Sequence, residues 1–291
     1  MTATTFRIGG DLGVRRLGFG AMQLPTERGP AREASLRVAR RAVELGVTLI
    51  DTAHLYGGGA NEELLAEALY PYADGLLVTT KVGVARSAES GEWGLDGRPE
   101  VLRDQVENAL RRLRVERLEL LQLHRIDPEV PLADQLGALR ELQTAGKVGR
   151  LGLSEITVAE LDEARAIIDV ASVQNRYSLL DREHESVLAA CEAAGIAFLP
   201  WRPVAGAASG ASAAAAEITA VADELGATPA QVSLAWLLDR SPVVLPIPGT
   251  ARIDHLEENV AAADLRLTPA HHDRLDRLDD LGRPGRPAER A

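Results

Sequence analysis

Apolar residues in this chain gather into short runs that alternate with amphipathic stretches of helical period. Residues 31–45 carry apolar positions three and four apart and stop at Gly46, just ahead of the run VTLID at 47–51. A short helical stretch, 61–69, leads to LLVTTK, which ends on Lys81. A longer loop, 82–98, holds Gly91, Gly94, Gly97 and an isolated Trp93, and Pro99 then opens a helix through Leu113. The rhythm continues with the strand RLELLQLH (117–124), a helix over 132–145, a strand over 147–155 and a helix over 157–168. A strand at 171–178, a helix at 183–194 and the runs IAFLPW (196–201) and VVLPIPG (243–249) complete it.

With LGFGAMQL (17–24) as the first, these runs make eight strands. Continuous apolar runs belong to strands covered on both faces, and their alternation with helices means a parallel α/β sheet. Eight such units favour closure into a (β/α)8 barrel of the TIM type over an open doubly wound sheet. Two short runs around Gly9-Gly10-Asp11, within residues 4–16, read as a hairpin ahead of the first unit. No shift in composition marks a boundary, so residues 1–291 read as a single domain. Two segments break the rhythm. AGAASGASAAAA, at 205–216, is expected to be a mobile loop running into a helix. In the tail LGRPGRPAERA the spacing of Gly and Pro defeats a helix, so disorder is expected from about residue 282.

Composition then narrows the function. Hydrophobic residues make up 46% of the chain, ample for a core, and the net charge of −11 argues against nucleic acid as a partner, since phosphates demand a basic surface. No run approaches the roughly 20 apolar residues of a membrane span, and MTATTFRIGGD lacks the apolar centre of a signal peptide. One cysteine, Cys191, precludes an intrachain disulfide, fits a reducing cytoplasm and reads as a small packing residue. No Cys/His cluster has metal-binding spacing.

The candidate chemistry sits where strands end. VTLID finishes on Asp51, LLVTTK on Lys81 and LELLQLH on His124, with Tyr56 five residues beyond Asp51 in a glycine-rich loop. The C-terminal ends of barrel strands are where such folds place their reactive groups. Singly, each residue has a plain structural role: a cap, a loop anchor, a snorkelling lysine, a hydrogen-bonded histidine. VVLPIPGTARIDHLEEN (243–259) reads as strand, tight turn and helix start, whose unpaired N–H groups suit an anion. Gly20 has two readings, a simple turn or a place for a bulky ring to approach the backbone.

Asp51, Tyr56, Lys81 and His124, in this order, resemble the catalytic tetrad of the aldo-keto reductases, nicotinamide-dependent carbonyl reductases on a TIM barrel. The resemblance covers roughly residues 4–278. It implies that the hairpin closes the barrel bottom and that the protein reduces a small aldehyde or ketone with NADPH. Tyr56 would be the general acid, Lys81 would lower its pKa, Asp51 would keep Lys81 charged, and His124 would orient the carbonyl oxygen. Residues 243–259 resemble the family's adenine and phosphate motif, which assigns Gly249, Thr250, Arg252 and His255 to phosphate and Glu258 and Asn259 to adenine. Ser154 and Gln174 match carboxamide contacts, and Trp201 matches the aromatic that stacks on the nicotinamide. Gly20, Met22, Asp51, Arg202 and Pro203 complete the expected cofactor set. Glu155 and Arg202 depart from the commoner Asn and Ser. His54 reads as a loop residue, His271-His272 as a solvated pair, and Tyr70 and Tyr177 as packing residues.

Two other functions fit parts of the pattern. A Schiff-base lyase would use Lys81, but Asp51 would hold its amine protonated. A nicotinamide-binding regulatory subunit like the potassium-channel β subunits shares the fold, and the lack of a long N-terminal extension disfavours it. YGGGANEE is not a Rossmann fingerprint. Specificity is expected in the loops 23–30, 82–98 and 205–216 and in the tail, with Trp93 and Trp201 as apolar walls. The sequence assigns neither a particular substrate nor an oligomeric state.

Overall fold

The computed structural model describes residues 4–86, 92–204 and 212–278. Strands β1 (Thr5–Ile8) and β2 (Leu12–Arg15) pair antiparallel, as the glycine turn between them predicts. The main sheet uses β3 (Phe19–Gly20), β4 (Leu49–Asp51) and β5 (Leu77–Val82). After a small antiparallel pair, β6 (Val84–Arg86) and β7 (Trp93–Leu95), it continues with β8 (Leu118–Leu123), β9 (Val148–Ser154), β10 (Val170–Gln174) and β11 (Ala197–Phe198). The helices are α1 (Pro30–Glu44), α2 (Ala60–Leu69), α3 (Pro99–Leu113), α4 (Leu132–Thr144) and α5 (Val158–Arg165). Beyond them come α6 (Glu185–Ala194), α7 (Ala213–Leu225), α8 (Pro229–Arg240), α9 (Ile253–Ala261) and α10 (Pro269–Asp276). Proline at the first turn starts α1, α3, α8 and α10, where its missing N–H costs nothing.

Seven strands form one parallel sheet in the order β11-β10-β9-β8-β5-β4-β3. The expected eighth strand, 243–249, is present only as isolated bridges, Phe198 to Val244 on one side and Gly20 to Gly249 on the other. Its prolines explain this. Phe198 N–H donates to Val243 O and Leu245 N–H returns to Phe198 O, both at 2.8 Å. On the β3 side, Pro246 and Pro248 accept from Gly18 and Gly20 but have no N–H to return, so half of that ladder is missing. The segment nevertheless joins the two edges of the sheet. A Cβ on Gly20 would stand 2.8 Å from Ile247 O, and one on Gly249 2.8 Å from Gly20 O. Close backbone approach at this seam thus accounts for both glycines.

Side chains alternate across the strands. Leu49, Leu77, Leu120, Ala171, Ala197, Leu245 and Ile247 form one buried cluster with Ile8 and Val14 of the hairpin. Leu121 and Leu123 instead face the α3 and α4 residues Leu102, Val106, Leu136 and Leu139. Three local expectations are revised. The loop 82–98 contains the β6–β7 pair, Tyr70 is 52% exposed rather than packed, and His271 completes the capping box of α10 rather than facing solvent with His272. Residues 205–211 and 279–291, including the tail, lie outside the described residues, whereas Ser212 Oγ caps α7. Among the described residues no helix is long and apolar enough to cross a membrane.

Candidate active site

β4, β5 and β8 lie side by side, so Asp51, Lys81 and His124 reach the same end of the sheet. Tyr56 arrives on the loop after β4, which is pinned at several points. Thr52 N–H donates to Thr79 O (2.9 Å), and His54 N–H donates to Lys81 O (3.1 Å). Thr52 Oγ1 donates to Asn61 Oδ1 (2.6 Å), and Asn61 Nδ2 donates to Ala21 O (2.9 Å). Gly57, Gly58 and Gly59 follow at φ of 63°, 64° and 94°, a left-handed run that only glycine adopts cheaply.

Lys81 is 1% exposed, and its ammonium protons are matched by three acceptors: Asp51 Oδ2 at 2.6 Å, Thr52 O at 2.9 Å and Tyr56 Oη at 3.4 Å. Burial works against the charge, but Asp51 and Tyr56 outweigh it and hold the Lys81 pKa above its ordinary value. Asp51 Oδ1 accepts from Gln174 Nε2 (2.8 Å) and Gln122 Nε2 (3.3 Å), so both carboxylate oxygens are engaged. Tyr56 corrects one expectation. Lys81 does pull its pKa down, but burial pushes harder and Asp51 adds to it, so the phenol is held above the ordinary value. His124, edge-on to Tyr56 with ring centroids 6.2 Å apart, is pushed down to about 3 by burial and by the charges of Lys81 and Arg125. It is therefore a neutral imidazole near pH 7. Its Nδ1 has no hydrogen-bond partner among the described residues.

Asp51, Tyr56 and His124 line a cavity of about 270 Å³ together with Gly20, Met22, Ser154, Gln174, Trp201, Arg202, Pro203 and Gly249, and Lys81 stands behind Asp51 and Tyr56. A larger depression of about 950 Å³, among Arg28, Arg32, Glu63, Glu67, Arg111 and Arg114, touches none of the tetrad. Met22 is 62% exposed at the rim. Trp201 Nε1 donates to Glu155 Oε1, which also accepts from Arg176 N–H. Glu155 and Arg202 have φ of 55° and 53°, the left-handed region that Asn tolerates better than either. Gln174 spends its amide nitrogen on Asp51, and Ser154 Oγ accepts from Arg125, so both expected carboxamide contacts have protein partners as well.

Further along, Thr250 is buried and its Oγ1 accepts from Arg252 N–H at 3.1 Å. Arg252 is the N-cap of α9 and makes no side-chain cap bond. Its exposed guanidinium grips Asp254 instead, with Nε to Oδ1 at 3.0 Å and a second contact to Oδ2. Arg252 thereby holds the Asp254 carboxyl well below the usual carboxylate range. His255 is exposed, Asn259 is buried, and the Glu258 carbonyl accepts from Gln231.

Residues 16–280 match the model of the Aldo/keto reductase family. The chain belongs to that family. Pyridoxine 4-dehydrogenase of Escherichia coli is 38% identical over 286 residues, covering 95% of this chain and 98% of that protein. An uncharacterized oxidoreductase of Schizosaccharomyces pombe is 44% identical over 272 residues, covering 92% and 87%. Among solved structures, an aldo/keto reductase from Klebsiella pneumoniae in complex with NADP and acetate matches with a TM-score of 0.83 at 28% identity, covering 97% of each chain. The glycerol dehydrogenase of Gluconobacter oxydans matches with a TM-score of 0.86 at 25% identity over both chains entire.

Several residues that support this aldo-keto reductase site did not stand out in the sequence. Gln122 faces inward two positions before His124, and a polar residue on the inward face of an apolar strand was its available signal. A second group braces the Tyr56 loop from outside. Arg112 Nη1 contacts His54 Nδ1 (3.0 Å) and donates to the buried Glu62 carboxylate (3.2 Å), which also accepts from Thr80 Oγ1 (2.6 Å). A Cβ on Gly59 would stand 2.1 Å from that guanidinium, so the third glycine makes room for it.

Proposed function

We propose that this aldo-keto reductase converts an aldehyde or ketone to the alcohol, with NADP(H) as cofactor and Tyr56 as general acid. The observation that carries the reading is Lys81 Nζ, bonded to both Asp51 Oδ2 and Tyr56 Oη, the two residues that line the cavity in front of it. NADPH, when bound, supplies the hydride to the carbonyl carbon. Tyr56 gives its proton to the carbonyl oxygen as charge develops there, and Lys81 stabilises the phenolate left behind until solvent reprotonates it. Asp51 keeps Lys81 charged and aimed. His124, neutral, donates a hydrogen bond toward the carbonyl oxygen and fixes its direction.

The residues present fit the dinucleotide. The cavity between Trp201 and Gly20 includes Gly249, and past it the start of α9, with Thr250 and Arg252, suits phosphate, with His255, Glu258 and Asn259 following. Ser154 and Gln174 sit at the hydride end. The β1–β2 hairpin, whose Ile8 and Val14 pack with the first residues of β4 and β5, closes the opposite end of the barrel. The buried Cys191 thiol, pushed up to about 12 by burial, is inert, which suits a cytoplasmic enzyme. A Schiff-base role for Lys81 is disfavoured because its ammonium protons are all engaged.

The test is NADPH oxidation with product analysis against a panel of aldehydes, quinones, pyridoxal and keto-steroids. The expected result is stoichiometric alcohol formation for at least one class. Carbonyl turnover without nicotinamide, or a borohydride-trapped adduct on Lys81, contradicts the proposal.

A further inference from the structure

Arg125 follows His124 where β8 gives way to its loop, and its half-buried guanidinium lines the same cavity as Tyr56 and His124. One terminal nitrogen, Nη1, donates to His124 O at 2.6 Å and to Ser154 Oγ at 3.2 Å. These two contacts fix the fork. Among the described residues neither Nε nor the other terminal nitrogen has a partner, and no carboxylate reaches the group at ion-pair distance.

That sets Arg125 apart from the partly buried arginines that hold a carboxylate. Arg112 is paired with Glu62 and Arg150 with Asp11. The carboxylate that Arg125 feels most is Glu155, whose Oε1 is already occupied by Trp201 Nε1 and Arg176 N–H. Asp51, the acid on the cavity wall, is neutralised by Lys81. The wall is therefore left with two cations, Arg125 and Arg202, in a chain whose net charge is −11. A partly desolvated cation without a counter-ion is costly, and the cost is recovered when an anion docks. Arginine offers that anion a planar fork, and here the edge formed by Nε and the second terminal nitrogen is the one left open among the described residues.

We infer that Arg125 anchors an anionic group on the substrate, so that the site prefers carbonyl compounds bearing a carboxylate over neutral ones of the same shape. The inference rests on the reductase reading above. The rival anion is a phosphate of the cofactor. Arg125 stands beside Ser154 and His124 at the hydride end, whereas Thr250 and Arg252, which suit phosphate, lie off this cavity.

The experiment compares 4-carboxybenzaldehyde with its methyl ester in the NADPH-loaded enzyme, for wild type, Arg125→Met and Arg125→Lys. NADPH affinity is read by tryptophan fluorescence in the same three proteins. Wild type should favour the acid by on the order of 10-fold in kcat/KM, carried mainly by KM, as expected for hydrogen bonds to a charged group. Arg125→Met should bring the ratio close to unity and Arg125→Lys should restore part of it, with NADPH affinity unmoved. Equal use of acid and ester by wild type overturns the inference and leaves the reductase reading standing. So does a loss in Arg125→Met that falls on NADPH affinity instead of on the substrate ratio. Failure of the whole carbonyl panel defeats the reductase reading itself. If Arg125→Met does not fold, the wild-type ratio and the Lys variant decide.

Discussion

Two cation–carboxylate pairs, made of similar groups at similar distances, do opposite things in this molecule. Lys81 and Asp51 are 1% and 4% exposed by side chain and meet at 2.6 Å, with Thr52 and Tyr56 accepting from Lys81 and Gln122 and Gln174 donating to Asp51. Arg252 and Asp254 are 64% and 57% exposed and hold each other at the start of α9, with only the His255 N–H added on Asp254 Oδ1 among the described residues. Desolvation makes the first pair inseparable: removing either partner strands a charge away from water. Solvent screening makes the second nearly neutral in stability, so it exchanges partners easily. On the function proposed above, the buried pair is a fixed electrostatic frame, and the exposed pair a latch that an incoming cofactor phosphate would open.

The sharpest way to break this comparison is Lys81→Met. It leaves Asp51 buried and uncompensated, and we expect a loss of about 3–5 kcal/mol of stability together with loss of turnover. Urea denaturation measures the first and single-turnover kinetics the second. A cost no larger than that of deleting Arg252 would erase the distinction.

The buried half also predicts an acid limit. His124 has its folded pKa depressed to about 3, so it stays neutral while the unfolded chain takes up a proton near 6.5. The unfolded state then binds more protons between those values, and stability falls as pH drops through that window, by up to about 1.4 kcal/mol per pH unit from this group. Denaturation of wild type and His124→Asn across pH 3 to 7 should show a shallower acid slope in the variant. Identical slopes would mean that other groups set the limit.

Smaller effects are expected at the latch. Arg252→Ala should weaken NADPH by on the order of 10-fold, the low end for a charged hydrogen bond because the site is exposed, and leave NADH nearly unchanged. Asp254→Asn should tighten NADPH modestly, since the cofactor no longer competes with a carboxylate for the guanidinium. Fluorescence titration with both cofactors separates these outcomes. Equal losses for NADH and NADPH would show that Arg252 acts through the structure of α9 instead.

The tetrad positions were legible because each member ends, or closely follows, an apolar run; singly each had a plain structural role, and their order together, with its family resemblance, set them apart. The barrel order followed from the same runs. What escaped were relations that need a third dimension. Pro246 and Pro248 are visible in the sequence, but only the positions of Gly18 and Gly20 show which half of the ladder they forfeit. Lys81 was expected to lower the Tyr56 pKa, and its charge does act that way, but the depth of burial that reverses the net direction is not written in spacing. Asp254 stands two residues from Arg252, and only the turn at the start of α9 brings the carboxylate into the fork. Arg125 carries no signal in the sequence beyond following His124; its distinction lies in which of its donors are partnered in the fold.

The central claim is that Tyr56, held by Lys81, protonates the carbonyl. Its most direct test is the single-turnover rate of Tyr56→Phe with saturating NADPH and an aldehyde substrate, read alongside NADPH affinity. Removing one hydroxyl should leave cofactor binding intact and slow the chemical step by roughly 100- to 10,000-fold. A chemical step at the wild-type rate would contradict the claim.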